Sequence, residues 1–80
     1  MRVEVLLFAS LKDEVGPAIT VEVSEPATVA SLRRALEASH PALKRMSRRA
    51  MVAVNESYAV DGDRVGPGDT VALLPPVAGG

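Results

Sequence analysis

Hydrophobic residues along the chain follow two different spacings, which predict strands towards both ends and a helix between them. Residues 3–9 form a nearly continuous apolar run, broken only by Glu4, and this predicts a buried central strand. Residues 19–24 alternate apolar with polar side chains, as a strand with one solvated face does. Because the connection between these two strands is short, we expect them to pair as an antiparallel hairpin.

Helical signals occur twice before residue 47. Ser10 can cap a single helical turn that Gly16 and Pro17 end. A longer helix is predicted to begin after Thr28 as its N-cap and to end by Ser39 or His40, because Pro41 follows. The residues that would bury its inner face have helical spacing and are Val29, Leu32, Ala35, Leu36 and Ala38. Residues 42–46 can add a further turn.

Two more strands are predicted in the second half of the chain. Residues 51–54 form a short apolar strand, and residues 70–74 form the last one. The segments 55–56, 61–63 and 66–69 are rich in Asn, Asp, Gly and Pro, which favour turns.

The order strand, strand, helix, strand, strand predicts an α+β protein of the β-grasp, or ubiquitin-like, fold. In that fold a mixed sheet of about four to five strands packs against one main helix. The last strand then lies beside the first, parallel to it, in the middle of the sheet. Residues 1–74 are expected to form this single domain, and residues 75–80 a flexible tail that leaves the central strand.

The tail combines stiffness with a very slim end. Its sequence is Pro75-Pro76-Val77-Ala78-Gly79-Gly80. The two prolines restrict φ and favour extended backbone. Neither terminal glycine has a Cβ, so the backbone there can enter a narrow slot. This pattern predicts a stem that carries an accessible carboxylate on Gly80.

Leu73 and Leu74 are adjacent in the last strand, so their side chains should lie on opposite faces of the sheet. One is expected to pack under the helix. The other then becomes the better candidate for docking to a partner. Phe8 and Tyr58, the only aromatic residues, are expected in the core and at its edge.

Composition narrows the possible chemistry. The chain has 80 residues, a net charge of −1, one histidine and no cysteine. Disulfides, thiolate metal sites and a persulfide on the chain itself are therefore excluded. No run of apolar residues approaches the roughly 20 that a membrane helix requires, and no signal peptide is evident. We expect a cytoplasmic protein that binds no membrane and no metal.

Charged residues allow several interpretations. The basic residues between positions 33 and 49 are Arg33, Arg34, Lys44, Arg45, Arg48 and Arg49. A solvated face is favoured, with docking to an acidic partner next. Nucleic acid is disfavoured, because no aromatic residues are interspersed. His40 is expected at a helix end, and Asp61, Asp63 and Asp69 are expected in turns rather than in a calcium site.

Three segments resemble the small subunit of molybdopterin synthase, the MoaD family. Residues 67–80 are similar to its closing pattern PGD-x-V-A-x-x-P-P-V-x-G-G, and residues 7–16 to its FAxLRExxG opening. Val54 and Asn55 match its VN after the third strand. One departure is the Leu73-Leu74 pair, where phenylalanine is expected in this family.

The resemblance implies a sulfur carrier that is not catalytic by itself. An adenylating, E1-like activating enzyme would use ATP and Mg²⁺ to form an acyl-adenylate on Gly80. A persulfide from a donor such as a cysteine desulfurase or a rhodanese would convert it to a thiocarboxylate. That group would donate sulfur to a pterin precursor, cyclic pyranopterin monophosphate, and so form the molybdopterin dithiolene. The partner would be the large synthase subunit, in a heterotetramer with two small subunits.

The implied contacts to these partners run from Leu73 to Gly79. They comprise Leu73, Leu74, Pro75, Pro76, Val77, Ala78 and Gly79. Three alternatives stay open: a carrier for thiamine or tRNA thiolation, a ubiquitin-like modifier conjugated through Gly80, and a plain interaction module.

Overall fold

The computed structural model describes residues 1–76 and contains seven strands, three α-helices and one 3₁₀ turn. The strands are β1 Arg2–Leu7, β2 Ala18–Glu22, β3 Ala27–Thr28, β4 Met51–Val54, β5 Ser57–Ala59, β6 Arg64–Val65 and β7 Val71–Leu74. The helices are α1 Ser10–Val15, α2 Val29–Ser39 and α3 Lys44–Arg49, and the 3₁₀ turn is Pro41–Leu43.

Five strands form one mixed sheet in the order β2-β1-β7-β4-β5. β1 pairs with β2 antiparallel and with β7 parallel, whereas β4 pairs antiparallel with both β7 and β5. The last strand therefore lies beside the first in the middle of the sheet, as the sequence predicts. This arrangement, with α2 against one face, confirms the β-grasp fold.

The structure adds strands that the hydrophobic pattern does not reveal. β5 lies at the sheet edge, and β3 and β6 form a separate two-stranded sheet. These strands have only two or three residues each, too few to show a period of two. Hydrogen bonding to neighbouring segments, rather than their own pattern, defines them.

The main helix begins and ends where its sequence signals lie. The Ser31 amide donates to Thr28 Oγ1 at 3.2 Å, and the Thr28 amide donates to Ser31 Oγ at 2.9 Å. This reciprocal capping box satisfies two amides at the helix start. At the other end the His40 amide donates to the Leu36 carbonyl, which confirms His40 as a helix-end residue.

The short helices differ in detail from the prediction. Ser10 is not the N-cap of α1. That position belongs to Ala9, whose φ is 52°, and no side chain caps the helix. Ser10 is instead the first residue of α1, because the helix begins one residue earlier than predicted. The further turn predicted at 42–46 extends as α3 to Arg49.

The core is aliphatic and lies between α2 and one face of the sheet. Strand residues with odd numbers in β1 and β7 point into it, as do Val29, Leu32 and Leu36 of α2. Ala35 is half-buried, and the prediction for Ala38 is wrong, because it is exposed near the end of the helix.

The expectation for the aromatic residues is wrong, because Phe8 is 46% exposed and Tyr58 is 69% exposed. Tyr58 pairs with Ala53, on the face opposite buried Val52, and Phe8 follows the last inward residue of β1.

None of the helices in residues 1–76 has the length and hydropathy needed to cross a membrane.

Candidate functional site

The polypeptide leaves the domain from the middle of the sheet. β7 is hydrogen-bonded on both sides, to β1 through Leu7 opposite Leu73 and to β4 through Met51 opposite Leu74. Leu74 is the last paired residue among residues 1–76. Pro75 is half-buried and Pro76 is exposed. A strand fixed on both edges gives the tail a defined point of departure.

Leu73 and Leu74 behave as the alternation of a strand requires. Leu73 is fully buried under the helices, whereas Leu74 is only half-buried on the other face. The prediction that they separate into a core residue and a surface residue is confirmed. Docking through Leu74 stays a prediction.

Two helices flank the root of the tail. A small pocket of about 140 Å³ is lined by Ser10, Leu11, Met46, Arg49, Pro75 and Pro76. The prolines thus lie beside α1 and α3, in mainly apolar surroundings. The predictions for Val77, Ala78, Gly79 and Gly80 fall outside the described residues.

An apolar row crosses the sheet on the face opposite the core. The strand registers place Leu6, Ala72, Ala53 and Tyr58 side by side on β1, β7, β4 and β5. Leu6, Ala72 and Ala53 are half-buried. Leu74 lies two residues beyond Ala72, on the same face. We call Leu6, Ala72, Ala53, Tyr58 and Leu74 the open-face row.

The sequence contains a signal for this row. Residues 51–54 and 71–74 are apolar at every position rather than at alternate ones. In a sheet with a helix on one face only, the surplus apolar positions must face outward. Only the strand order shows which of them become neighbours.

At the other end of β7, Asn55 joins two turns. Its amide nitrogen donates to Asp69 Oδ1 at 3.0 Å, and its Oδ1 accepts from the Thr70 amide at 2.9 Å. The Gly66 amide donates to Asp69 Oδ2 at 2.7 Å. Asn55 has a φ of 51°, a conformation that asparagine tolerates better than most residues. These bonds fix the start of the strand that carries the tail.

These contacts lower the pKa of Asp69. The hydrogen bond from the Gly66 amide is the main cause, and the Asn55 side chain adds to it. A carboxyl group with a lowered pKa in the folded state stabilises the fold fully above its unfolded pKa, which is near 3.9. This contribution to stability is lost as the pH falls through the pKa that the carboxyl group has in the folded state.

We therefore expect Asp69→Asn to weaken the dependence of stability on pH below about pH 4. Urea denaturation at a series of pH values measures the effect. Asp13→Asn is the matched control, because the Asp13 side chain makes no hydrogen bond or ion pair within residues 1–76. If the free energy of unfolding changed equally steeply with pH in Asp69→Asn and in the parent, the role given to Asp69 would be contradicted.

Asp61 and Asp63, the other two aspartates predicted in turns, also lie there. Asp63 Oδ2 accepts from the Val60 amide, and Asp61 pairs with Arg33 at 3.1 Å. Within residues 1–76, no cluster of acidic and histidine side chains has the geometry of a metal site.

Arg33 departs from the expectation of a solvated basic face. Its side chain is only 18% exposed, and besides Asp61 it contacts the Ser47 carbonyl, to which it donates. It therefore connects α2 to α3. The other basic residues of that stretch are exposed, as expected; they are Arg34, Lys44, Arg45, Arg48 and Arg49.

Comparison with known proteins gives a consistent result. The model of the ThiS family matches residues 5–80. The molybdopterin synthase sulfur carrier subunit of Homo sapiens is 32% identical over 83 residues, which cover 99% of this chain and 94% of that protein.

Solved structures resemble the chain over its whole length. SAMP1 of Haloferax volcanii is a small archaeal modifier protein. Its structure has a TM-score of 0.83 to this chain at 34% identity, and the alignment covers 100% of both chains. A chain from the complex of subunits 1 and 2 of the molybdopterin-converting factor of Helicobacter pylori has a TM-score of 0.69 at 26% identity, again with complete coverage of both.

Proposed function

The chain belongs to the ThiS family, and from this membership we propose that it is the sulfur carrier subunit of a molybdopterin synthase. The observation that carries the proposal is the full-length likeness to the human sulfur carrier subunit. The structure of the subunit 1 and 2 complex from H. pylori supports a large subunit as the partner.

Sulfur is carried on Gly80 in this proposal. A carboxylate is ionised at neutral pH, since its pKa is near 3.5, and is a poor electrophile. The activating enzyme uses ATP and Mg²⁺ to join the Gly80 carboxylate to AMP. The terminal sulfur of a persulfide then displaces AMP to give an acyl disulfide, and a thiol cleaves its S–S bond, which leaves the thiocarboxylate on Gly80 and a disulfide on the donor. This chain contributes position, because six extended residues from Pro75 reach at most about 20 Å.

The open-face row is the surface we assign to partner docking. It is continuous with the root of the tail, because Ala72 and Leu74 belong to the strand from which the tail departs. An exposed apolar surface of this kind commonly marks a protein interface. A partner that covers the row also receives the tail. Phe8 and Tyr58, which the sequence predicts in the core and at its edge, supply exposed aromatic area instead.

Reconstitution tests the proposal. The chain is incubated with the activating enzyme, ATP, Mg²⁺, a persulfide donor and a thiol reductant, and intact mass spectrometry follows the exchange of the terminal oxygen for sulfur. Product formation is then followed after addition of the large subunit and cyclic pyranopterin monophosphate. Sulfur loading without dithiolene formation would contradict the molybdopterin function and favour a carrier for thiamine or tRNA thiolation.

The likeness to SAMP1 supports a second candidate, a ubiquitin-like modifier. In that role Gly80 forms an isopeptide bond with lysines of other proteins. Peptides from cell extracts that carry a Gly-Gly remnant of this chain would favour the modifier. A cytoplasmic location stays a prediction from the sequence.

A further inference from the structure

Helix α3 presents a concentration of positive charge that the proposed function does not use. Lys44, Arg45, Arg48 and Arg49 are all exposed. None of them forms an ion pair within 4.0 Å in residues 1–76, where the ion pairs involve Met1, Arg2 and Arg33 instead. The charge is local, because the whole chain carries −1.

Three of these residues form one surface. Arg45, Arg48 and Arg49 are spaced three and four residues apart, which places them next to each other on the helix. They line a shallow depression of about 660 Å³ together with Glu14, Ala42 and Met46. Glu14 is the acidic group on its rim. We call Arg45, Arg48 and Arg49 the basic cluster.

The backbone beneath the basic cluster is held firmly. Ser47, on the inner side of α3, and Leu43, at the end of the preceding 3₁₀ turn, are fully buried. Arg33 donates to the Ser47 carbonyl and so fixes α3 to the main helix. The cluster is therefore displayed from a rigid element rather than from a loop.

Its position relates the cluster to the tail. Arg49 lines both the shallow depression and the small pocket that contains Pro75 and Pro76. A protein that encloses the tail root at Pro75 and Pro76 therefore lies next to Arg49 of α3. The basic cluster and the tail root thus belong to one continuous surface.

We propose that the basic cluster docks against an acidic surface of the large synthase subunit, beside the opening that receives the tail. This inference rests on the proposed function. It adds that the partner's surface around the opening for the tail is acidic. Complementary charge accelerates encounter and fixes orientation. A protein is favoured over nucleic acid, because neither aromatic residue of the chain lies in the cluster.

The test compares two double charge reversals. Arg45→Glu/Arg49→Glu changes the basic cluster, and Arg34→Glu/Arg64→Glu makes the same change in charge at exposed arginines elsewhere. Binding kinetics of each full-length variant to the purified large subunit are measured at several salt concentrations. Thermal denaturation verifies that both variants are folded.

We expect the cluster variant to associate at least about tenfold more slowly at low salt, with the difference shrinking as salt rises. Arg45→Gln/Arg49→Gln should give an intermediate rate, and the Arg34→Glu/Arg64→Glu control a rate close to that of the parent. Equal slowing by both charge reversals would overturn the inference and leave the proposed function intact.

Two further outcomes also decide against it. If the parent chain does not bind the large subunit at any salt concentration, the proposed function fails and the inference fails with it. If the parent binds transfer RNA more tightly than the large subunit, and the cluster variant loses that binding, the cluster recognises nucleic acid instead.

Discussion

Deletion of Gly80 is expected to abolish sulfur loading and to leave thermal stability almost unchanged. Within residues 1–76 the buried residues that form the core lie between Val3 and Leu73, and a glycine has no side chain to add to it. Surface changes remote from special features alter the free energy of unfolding by no more than about 0.5 kcal/mol. The proposed chemistry, by contrast, requires the carbonyl carbon of that glycine.

An alanine added after Gly80 should have the same effect, because it moves the carboxylate and places a methyl side chain beside it. Ala78→Ser, which keeps both terminal glycines, is the control and should load at a rate near that of the parent. Single-turnover loading with the activating enzyme and ATP, read by intact mass, measures all three. Retained loading after deletion or extension would refute the carrier function assigned to Gly80.

The same variants separate the carrier from the plain interaction module. A module that acts only through its surface would keep its binding and its activity without Gly80. A modifier would lose conjugation to lysines, whereas a carrier would lose the mass change that accompanies sulfur loading. The tail therefore distinguishes functions that the fold does not, since one fold supports several functions.

Much of the fold follows from local signals that agree with one another. Thr28 and Pro41 bracket α2, and the apolar runs at both ends predict the two central strands. Asn55 and Glu56 both have positive φ, as a tight hairpin turn requires. The parallel pairing of β1 with β7 follows from the crossover of the helix rather than from any single residue.

The features that sequence does not predict depend on distant contacts. Arg33 reads as one of six surface cations, but Asp61 and the Ser47 carbonyl lie close enough to bind it. Tyr58 is predicted at the edge of the core, but β5 is an edge strand and exposes it. The residues of the open-face row become neighbours only when β1, β7, β4 and β5 pair in one sheet. Hydrophobicity identifies such residues without saying which face they occupy.

Leu73→Ala is expected to lower stability, whereas Leu74→Ala is expected mainly to weaken partner binding, although the two residues are adjacent. Leu73 is fully buried, and removal of such a side chain costs about 2–5 kcal/mol. That is a large share of the roughly 5–15 kcal/mol that stabilises a typical domain. Leu74 is half-buried on the open face, so its truncation removes less contact within the fold.

Leu74→Ala should instead weaken binding to the large subunit, because the lost side chain belongs to the open-face row next to the tail. A contact residue in such a position contributes about 1–2 kcal/mol, which corresponds to a roughly 5- to 30-fold loss of affinity. Urea denaturation and calorimetric titration, applied to both variants, measure stability and affinity separately. An affinity for Leu74→Ala equal to that of the parent would mean that the partner holds the tail without covering the open face of the sheet.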